Sequence, residues 1–434
     1  MISIGGMIGA GLFVASSAAI VAAGPAIVVS YVIAGAVVLL IMRMLGEMAV
    51  AMPQIQSFAD FARAGLGHWA GFTVGWLYWF FWIVVVPVEA IAGAKLLQWW
   101  LPVPVWELGL VLVAIMTVVN LMSARSFGEF EFWFASIKVA AIIAFIALAA
   151  SFVFGLTGHA ALGFGNLASH GGFMPFGSKA VFAGVTTVFF SLAGAEIVTI
   201  AAAESSEPAQ AVARLTSSVV WRILIFYVGS ILLIVTVIPW DTIIPGHSPF
   251  TSALMAMHVP FTTTIMSLII LTAVLSCLNS CFYVTSRVLF ALAKQGDAPA
   301  WLVKTSANHV PRRSVMLGSL AGIAGVLADV LSPNGVFAFL INASGALFLF
   351  IYIAIAAAQI RLRYARQTRG EPQPALKMWL FPWTSYLAIA AMLGVLAAMA
   401  MTPDLSQELW VSLLTAAIAL VAFALMLGWR RASS

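Results

Sequence analysis

MISIGGMIGAGLF, residues 1–13, opens the chain and poses its central question. Gly5, Gly6, Gly9 and Gly11 crowd the head of an otherwise apolar stretch. A glycine costs a helix interior about 1 kcal/mol relative to alanine, so this cluster must serve some purpose. Three readings compete: a phosphate-binding loop, a close helix–helix contact, or a helix meant to be broken. A dinucleotide loop needs a preceding strand and the order G-x-G-x-x-G, and neither is present. Gly5 and Gly9 do form a GxxxG pair that allows close helix packing. The broken helix explains more: an unwound segment and the half-helix after it present free N–H groups that hold a carboxylate.

Outward from that stretch the chain stays apolar. It has 434 residues, of which 63% are hydrophobic and 8% charged; its mean hydropathy is +1.08. A soluble domain carries about 25% charged residues, so this chain cannot cover itself with polar surface and belongs in lipid. Apolar runs of spanning-helix length recur throughout, whereas the short alternating strands of a membrane barrel do not. The first run has no basic region ahead of it and no cleavage pattern, so it is not read as a signal peptide. The net charge of +5 fits basic cytoplasmic loops better than nucleic-acid binding. Cys277 and Cys281 share one apolar segment and are read as small packing residues, with no disulfide framework.

The pattern predicts twelve spans, near 1–22, 26–45, 70–97, 105–122, 130–154, 179–203, 218–239, 263–290, 314–331, 336–360, 380–401 and 408–429. Pro25, Pro53, Pro102, Pro104, Pro208, Pro239, Pro311, Pro333, Pro382 and Pro403 punctuate them. With the N-terminus inside, the loops after even-numbered spans hold Arg63, Arg125, Arg214, Lys294, Arg312, Arg313, Arg361, Arg366, Arg369 and Lys377, while 240–262, 331–336 and 402–408 hold no Lys or Arg. That asymmetry predicts cytoplasmic N- and C-termini. The fold expected is an all-α polytopic membrane protein, a single transmembrane domain over 1–434 without a soluble catalytic domain.

Ionisable side chains inside spans are expensive and point to function. Glu89 stands in PVEAIAG of span 3, Lys138 in ASIKVAA of span 5, and Glu196 in SLAGAEIVTI of span 6. Each has a second reading as a structural group paired across helices. Glu129, Glu131, Glu204 and Glu207 lie near span ends, where a solvated or capping role is expected. Spans 1 and 6 both carry a small-residue interruption, GGMIGAG and FFSLAGAE, five spans apart. This predicts an inverted five-plus-five repeat, 1–154 and 179–360, whose two discontinuous helices meet near the midplane, followed by two extra helices at 380–429. On span 8, Ser276, Asn279 and Ser280 form a polar patch, read either as interhelical hydrogen bonding or as substrate contact. KQGDAPA, residues 294–300, reads as a solvated connection.

GGMIGAGLF, GPAIVVSYVIAG, MRMLGEMAV and GEFEFWFASIKVAAIIAF resemble the bacterial amino acid transporter branch of the amino acid–polyamine–organocation superfamily. FFSLAGAEIVTIAAAESSEP, SCLNSCFYVTSRVLFALAKQGDAPA and GGFMP resemble that branch's 4-aminobutyrate permeases. The resemblance covers essentially the whole chain. It implies the leucine-transporter fold, secondary transport across the cytoplasmic membrane and, in this branch, proton symport. Relatives for proline, aromatic, lysine or small neutral amino acids share most of the motifs. The substrate carboxylate would meet backbone N–H groups around Met7, Gly9, Ala10 and Gly11. Its amine would meet carbonyls at Met7 and around Phe190 and Ala193. Phe190 would be the aromatic gate and Gly194 the break of span 6. Lys138 would stand where sodium-coupled relatives hold an ion, and Glu196 follows the break as it does in relatives.

Physical reasoning supports these roles. A zwitterion loses its hydration on entering a dry site, and broken helix ends return those hydrogen bonds. Low dielectric disfavours the charged form of an ammonium or a carboxylate, so either type can exchange a proton during a cycle. Lys138, Glu89 and Glu196 are therefore the coupling candidates, with Glu89 also a candidate for the amine, because a 4-aminobutyrate amine lies two carbons beyond an α-amine. The implied partners are a small zwitterionic amino acid, protons and membrane lipid, with no cofactor, metal, catalytic residue or nucleic acid; the oligomeric state is not read from the sequence. Only Met1–Ile4 precede the break, fewer than half a span requires at 1.5 Å per residue. An intramembrane enzyme and a transport-like sensor remain as alternatives. Neither a metal-spaced histidine pair nor a Ser-His dyad favours the enzyme.

Overall fold

The computed structural model describes residues 8–55, 57–122, 124–156, 161–196, 221, 223–306, 310–332 and 346–433. Every regular element among them is helical. In chain order the α-helices are α1 (Ser16–Ala23), α2 (Ile27–Ala51), α3 (Phe58–Leu66), α4 (His68–Leu97), α5 (Val105–Met122), α6 (Ala124–Val153) and α7 (Gly177–Leu192). They continue as α8 (Ser230–Val237), α9 (Pro249–Ala256), α10 (Thr262–Lys294), α11 (Arg312–Leu331), α12 (Leu347–Thr368), α13 (Trp383–Met401) and α14 (Pro403–Ser433). Among the described residues nine helical stretches are long and apolar enough to cross a membrane, and Ile223–Val237 is a shorter apolar helix.

The local sequence explains the boundaries. Ser57 caps α3 by accepting the Asp60 N–H at 3.2 Å, and Asp60 lies in the first turn where the helix dipole favours an acid. Between α1 and α2, Gly24 adopts φ +66°, and the Gly24–Ala26 turn interrupts a 41-residue apolar stretch from Gly11 to Ala51. At 1.5 Å per residue that stretch would be about 60 Å long if straight, twice a hydrocarbon core of about 30 Å.

The interior is built around α4 and α10, which pack along each other, with α5 and α11 on one side and α6 against α10. α1 and α2 pack on α7, and the short α3 wedges between α4 and α12. Aromatic rings fill the centre: Phe81 of α4 meets Phe348 of α12 edge-on at 4.4 Å, and Phe348 meets Tyr352 at 5.3 Å. The outer helices turn apolar side chains outward. Only 6% of the apolar window of α14 is buried, as for a helix whose neighbour is lipid.

Candidate functional site

Before α1 the backbone departs from the α-helix. Ile8 and Gly9 are non-helical, and Gly11–Ala15 form a wide π turn that leads into α1. π turns of this kind concentrate at functional sites. Gly9 lies where a side chain has no room. A Cβ there would stand 2.9 Å from Cys277 Cβ, 3.0 Å from Cys277 Sγ and 3.1 Å from Glu89 Oε1. A Cβ on Gly11 would stand 3.0 Å from the Ser191 Cα of α7, and Ser191 Oγ donates to the Gly11 carbonyl at 3.0 Å. The glycines thus let the backbone approach α4, α7 and α10 closely. Met7 and the preceding glycines lie outside the described residues.

The facing helix α7 ends at Leu192, and a turn follows over residues 193–196. Gly194 takes φ +102°, a conformation that side-chain-bearing residues avoid. Glu196 folds back onto this turn. Its carboxylate accepts the Gly194 N–H at 3.2 Å, the Tyr78 hydroxyl of α4 at 3.0 Å and the Tyr352 hydroxyl of α12 at 3.1 Å. Three donors around one carboxylate satisfy a charge that would otherwise be costly to bury. Ala193 is buried in the same turn. The Phe190 side chain and residues 197–220, with Glu204 and Glu207, lie outside the described residues.

Beside this non-helical segment sits a group of buried ionisable residues: Glu89 is 2% exposed, and Lys138 and Glu131 are fully buried. Lys138 Nζ donates to the Ile8 carbonyl at 2.7 Å, so an α6 ammonium holds the unwound backbone ahead of α1. Glu89 faces the Ala10 N–H and hydrogen-bonds the Cys277 thiol. Its Oε2 is buried with no hydrogen-bond partner among the described residues. Such an orphaned carboxylate oxygen is expensive unless something meets it. Glu131 contradicts the expected solvated end position. It lies well inside α6, where Ser276 Oγ donates to Oε1 at 2.6 Å and Asn279 Nδ2 to Oε2 at 3.4 Å. Asn279 in turn accepts from Asn120 Nδ2 of α5 at 2.9 Å. Ser276 and Asn279 of the α10 patch therefore serve interhelical hydrogen bonding around Glu131, whereas the buried Ser280 Oγ has no hydrogen-bond partner among the described residues. Cys277 and Cys281 are buried free thiols, and Cys277 forms a wall of the site as well as packing in it.

The 294–300 connection is mostly exposed, in keeping with its solvated reading, but one residue departs from it. The Asp297 side chain is completely buried and pairs with Arg63 of α3 and, at 2.7 Å, with His68 Nε2 of α4. Trp76 Nε1 donates to the Asp297 carbonyl at 3.2 Å, and Gln295 bonds Asp60. A second cluster ties α2 to α12: Glu47 accepts from Met378 N at 2.6 Å, Gln359 Nε2 at 3.1 Å and Arg363 Nη1 at 3.2 Å. Sequence patterning passed over Glu47, Asp297, Tyr78 and Tyr352, whose roles depend on partners remote in the chain. Glu131 had a local signal: it precedes Lys138 by seven residues, two turns up the same helix face.

The amino acid permease family model matches residues 1–432. The chain is 45% identical to the gamma-aminobutyric acid permease of Bacillus subtilis (strain 168), over 98% of this chain and 91% of that protein. It is 44% identical to the gamma-aminobutyric acid permease of Escherichia coli (strain K12), over 94% and 88% of the two chains. An aromatic amino acid transport protein of Corynebacterium glutamicum is 41% identical, over 92% and 87%. Glycine-broken backbone, buried charges and a lipid-facing exterior are the parts a solute carrier requires, and the chain belongs to the amino acid permease family: it is a multi-pass transport protein of the bacterial cell membrane, not an enzyme.

Proposed function

We propose that this permease takes up 4-aminobutyrate together with protons by alternating access. In this reading there are twelve spans, the two repeats cover 1–154 and 179–360 with two further helices at 380–429, the arrangement is that of the leucine transporter, and both termini are cytoplasmic. The 41-residue Gly11–Ala51 stretch supplies two of the spans, divided at the Gly24 turn. The backbone around Met7, Gly9, Ala10 and Gly11 receives the substrate carboxylate, with Phe190, Ala193 and Gly194 closing the site from the other broken helix. Asn279 lies at its edge. Lys138 occupies the place of a coupling ion, and Glu196 braces the second break.

One observation carries the substrate reading: the unpartnered, buried Glu89 Oε2 beside the helix break. An ammonium at the far end of a 4-aminobutyrate, its carboxylate held at the break, would satisfy that oxygen. The relatives named for gamma-aminobutyric acid support the same choice. Uptake of labelled 4-aminobutyrate into proteoliposomes under an imposed pH gradient tests it. Accumulation that an uncoupler abolishes is the expected result, with phenylalanine and proline competing poorly. Strong competition by phenylalanine, or substrate binding without accumulation, overturns the assignment. Glu89→Gln should weaken 4-aminobutyrate uptake and alter its pH profile; if both stay as in the parent, Glu89 has neither role.

A further inference from the structure

α2 ends at Ala51 and α12 at Thr368, and between those ends and α3 lies a cavity of about 540 Å³. Small-molecule sites commonly enclose about 300–1,000 Å³. The walls are apolar, from Ala51, Met52, Ala64, Leu362 and Ala365, and the charged groups are Arg361, Arg366 and Arg369 against the single carboxylate of Glu371. Gly65 seats α3 on α12 so closely that a Cβ there would stand 2.7 Å from Ala358 Cα, so this wall is preformed. Arg366 is fully engaged within the fold. It donates to the Ala51 carbonyl at 2.8 Å and the Pro372 carbonyl at 3.0 Å, and pairs with Glu371 at 3.3 Å. Arg363, on the same helix, is likewise held by Glu47 and the Met378 carbonyl. Arg361 differs: it lines the cavity, is exposed, and has no hydrogen bond or ion pair among the described residues. Arg369 is 72% exposed and has only a 3.7 Å contact with Glu371.

We propose that this cavity binds a phosphate group, with Arg361 and Arg369 as its free cations. A guanidinium presents a planar fork of donors that matches two phosphate oxygens. Two sources carry that group, the headgroup of an acidic phospholipid and a soluble phosphate, and the surroundings favour the lipid. Tyr364 lies one turn beyond Arg361 on the exposed face of α12, its ring 5.1 Å from Phe381, and exposed Trp379 and Trp383 flank Phe381 in the chain. Such rings mark the headgroup level of a bilayer. Basic cavities between spanning helices on the cytoplasmic side take acidic headgroups, and the proposed topology puts this end in the cytoplasm. The phosphate meets Arg361 and Arg369, and the apolar walls are left to the glycerol and first methylenes of the lipid. A ligand held there stabilises the folded carrier by mass action. The binding is independent of the substrate and of proton coupling; only its side of the membrane rests on the proposed topology.

The test is thermal unfolding of the full chain in neutral detergent, titrated in separate arms with phosphatidylglycerol, phosphatidylcholine and inorganic phosphate. Phosphatidylglycerol should raise Tm at concentrations where phosphatidylcholine does not. Arg361→Gln should raise the phosphatidylglycerol concentration that gives half the shift by about tenfold, and adding Arg369→Gln should raise it further. Lys304→Gln, which removes an exposed charge away from the cavity, should stay within about twofold of the parent. A parent that responds to neither phosphatidylglycerol nor inorganic phosphate overturns the proposal. So does an unchanged half-shift concentration in Arg361→Gln, or equal weakening by Lys304→Gln, which would make the response one of general surface charge. If inorganic phosphate alone reproduces the whole Arg361-dependent shift, the site stands with a soluble phosphate as its ligand. Should Arg361→Gln fail to fold, Ala365→Leu takes its place: it fills the cavity and removes no charge. A weaker response to phosphatidylglycerol then supports the cavity, and a parental one refutes it.

Discussion

Replacing Gly9 by alanine is the sharpest perturbation of this site. The new methyl would lie 2.9 Å from Cys277 Cβ, 3.0 Å from its Sγ and 3.1 Å from Glu89 Oε1. None of these neighbours can yield freely. The Cβ of Cys277 is fixed by the α10 backbone, and Glu89 is buried between α4 and the helix break. Inserting a methylene or methyl into a packed interior costs about 1–3 kcal/mol. If that strain falls on the substrate-bound state, affinity drops roughly 5- to 150-fold, since about 1.4 kcal/mol is tenfold. Concentration-dependent uptake in proteoliposomes, together with thermal unfolding of the purified carrier, locates the cost. A raised KM with parental stability places it in the bound state, and a lowered Tm with parental KM in the fold. Pairing Gly9→Ala with Cys277→Gly removes the blocking Cβ and Sγ, and should recover part of the loss despite the helix cost of a glycine, about 1 kcal/mol. Gly9→Ala with parental KM and Tm would refute the close-approach account of the opening glycines.

Tyr78→Phe and Tyr352→Phe each remove one hydroxyl from Glu196, and each should destabilise the carrier by about 1–3 kcal/mol, read as thermal unfolding in detergent. The double variant should cost less than the sum of the singles if both act through the one carboxylate, and strict additivity would argue against that. Asp297→Asn removes the charge that pairs Arg63 and His68, joining the α10–α11 connection to α3 and α4. It should raise the rate at which a cysteine placed at exposed Lys294 reacts with a thiol reagent, whereas an unchanged rate shows that the cluster does not restrain the connection. Glu47→Gln loses the charge that Arg363 and the Met378 N–H share, and should lower Tm without changing KM.

Much of this protein is legible in one dimension. A membrane location and helical architecture follow from composition and run length, because hydrocarbon leaves helices almost no alternative. The non-helical backbone ahead of α1 is legible in Gly9 and Gly11, and the turn after α7 in Gly194, because a backbone that approaches closely or takes a positive φ needs glycine. Glu89, Lys138 and Glu196 were visible because charge in a span is costly and therefore rare. The partners were not visible. Nothing near Glu196 in sequence announces Tyr78 and Tyr352, and Asp297 reads as a loop residue because its partners Arg63 and His68 lie more than two hundred residues earlier. Glu131 departs from expectation for a related reason: nearness to a span end predicts solvent, but α10 covers that face of α6 and supplies the donors.

The sequence by itself determined that the chain is a helical membrane carrier, which residues are too polar for lipid, and where the backbone needs glycine. Those are local properties, set by hydration cost and backbone sterics one segment at a time. The tertiary structure decided which buried charge answers which: Lys138 to the Ile8 carbonyl, Glu196 to two tyrosines, Glu131 to α10, and Glu89 with one oxygen unanswered. Those pairings join helices far apart in the chain, and a buried charge becomes a binding group or a brace only through the neighbours that packing brings to it.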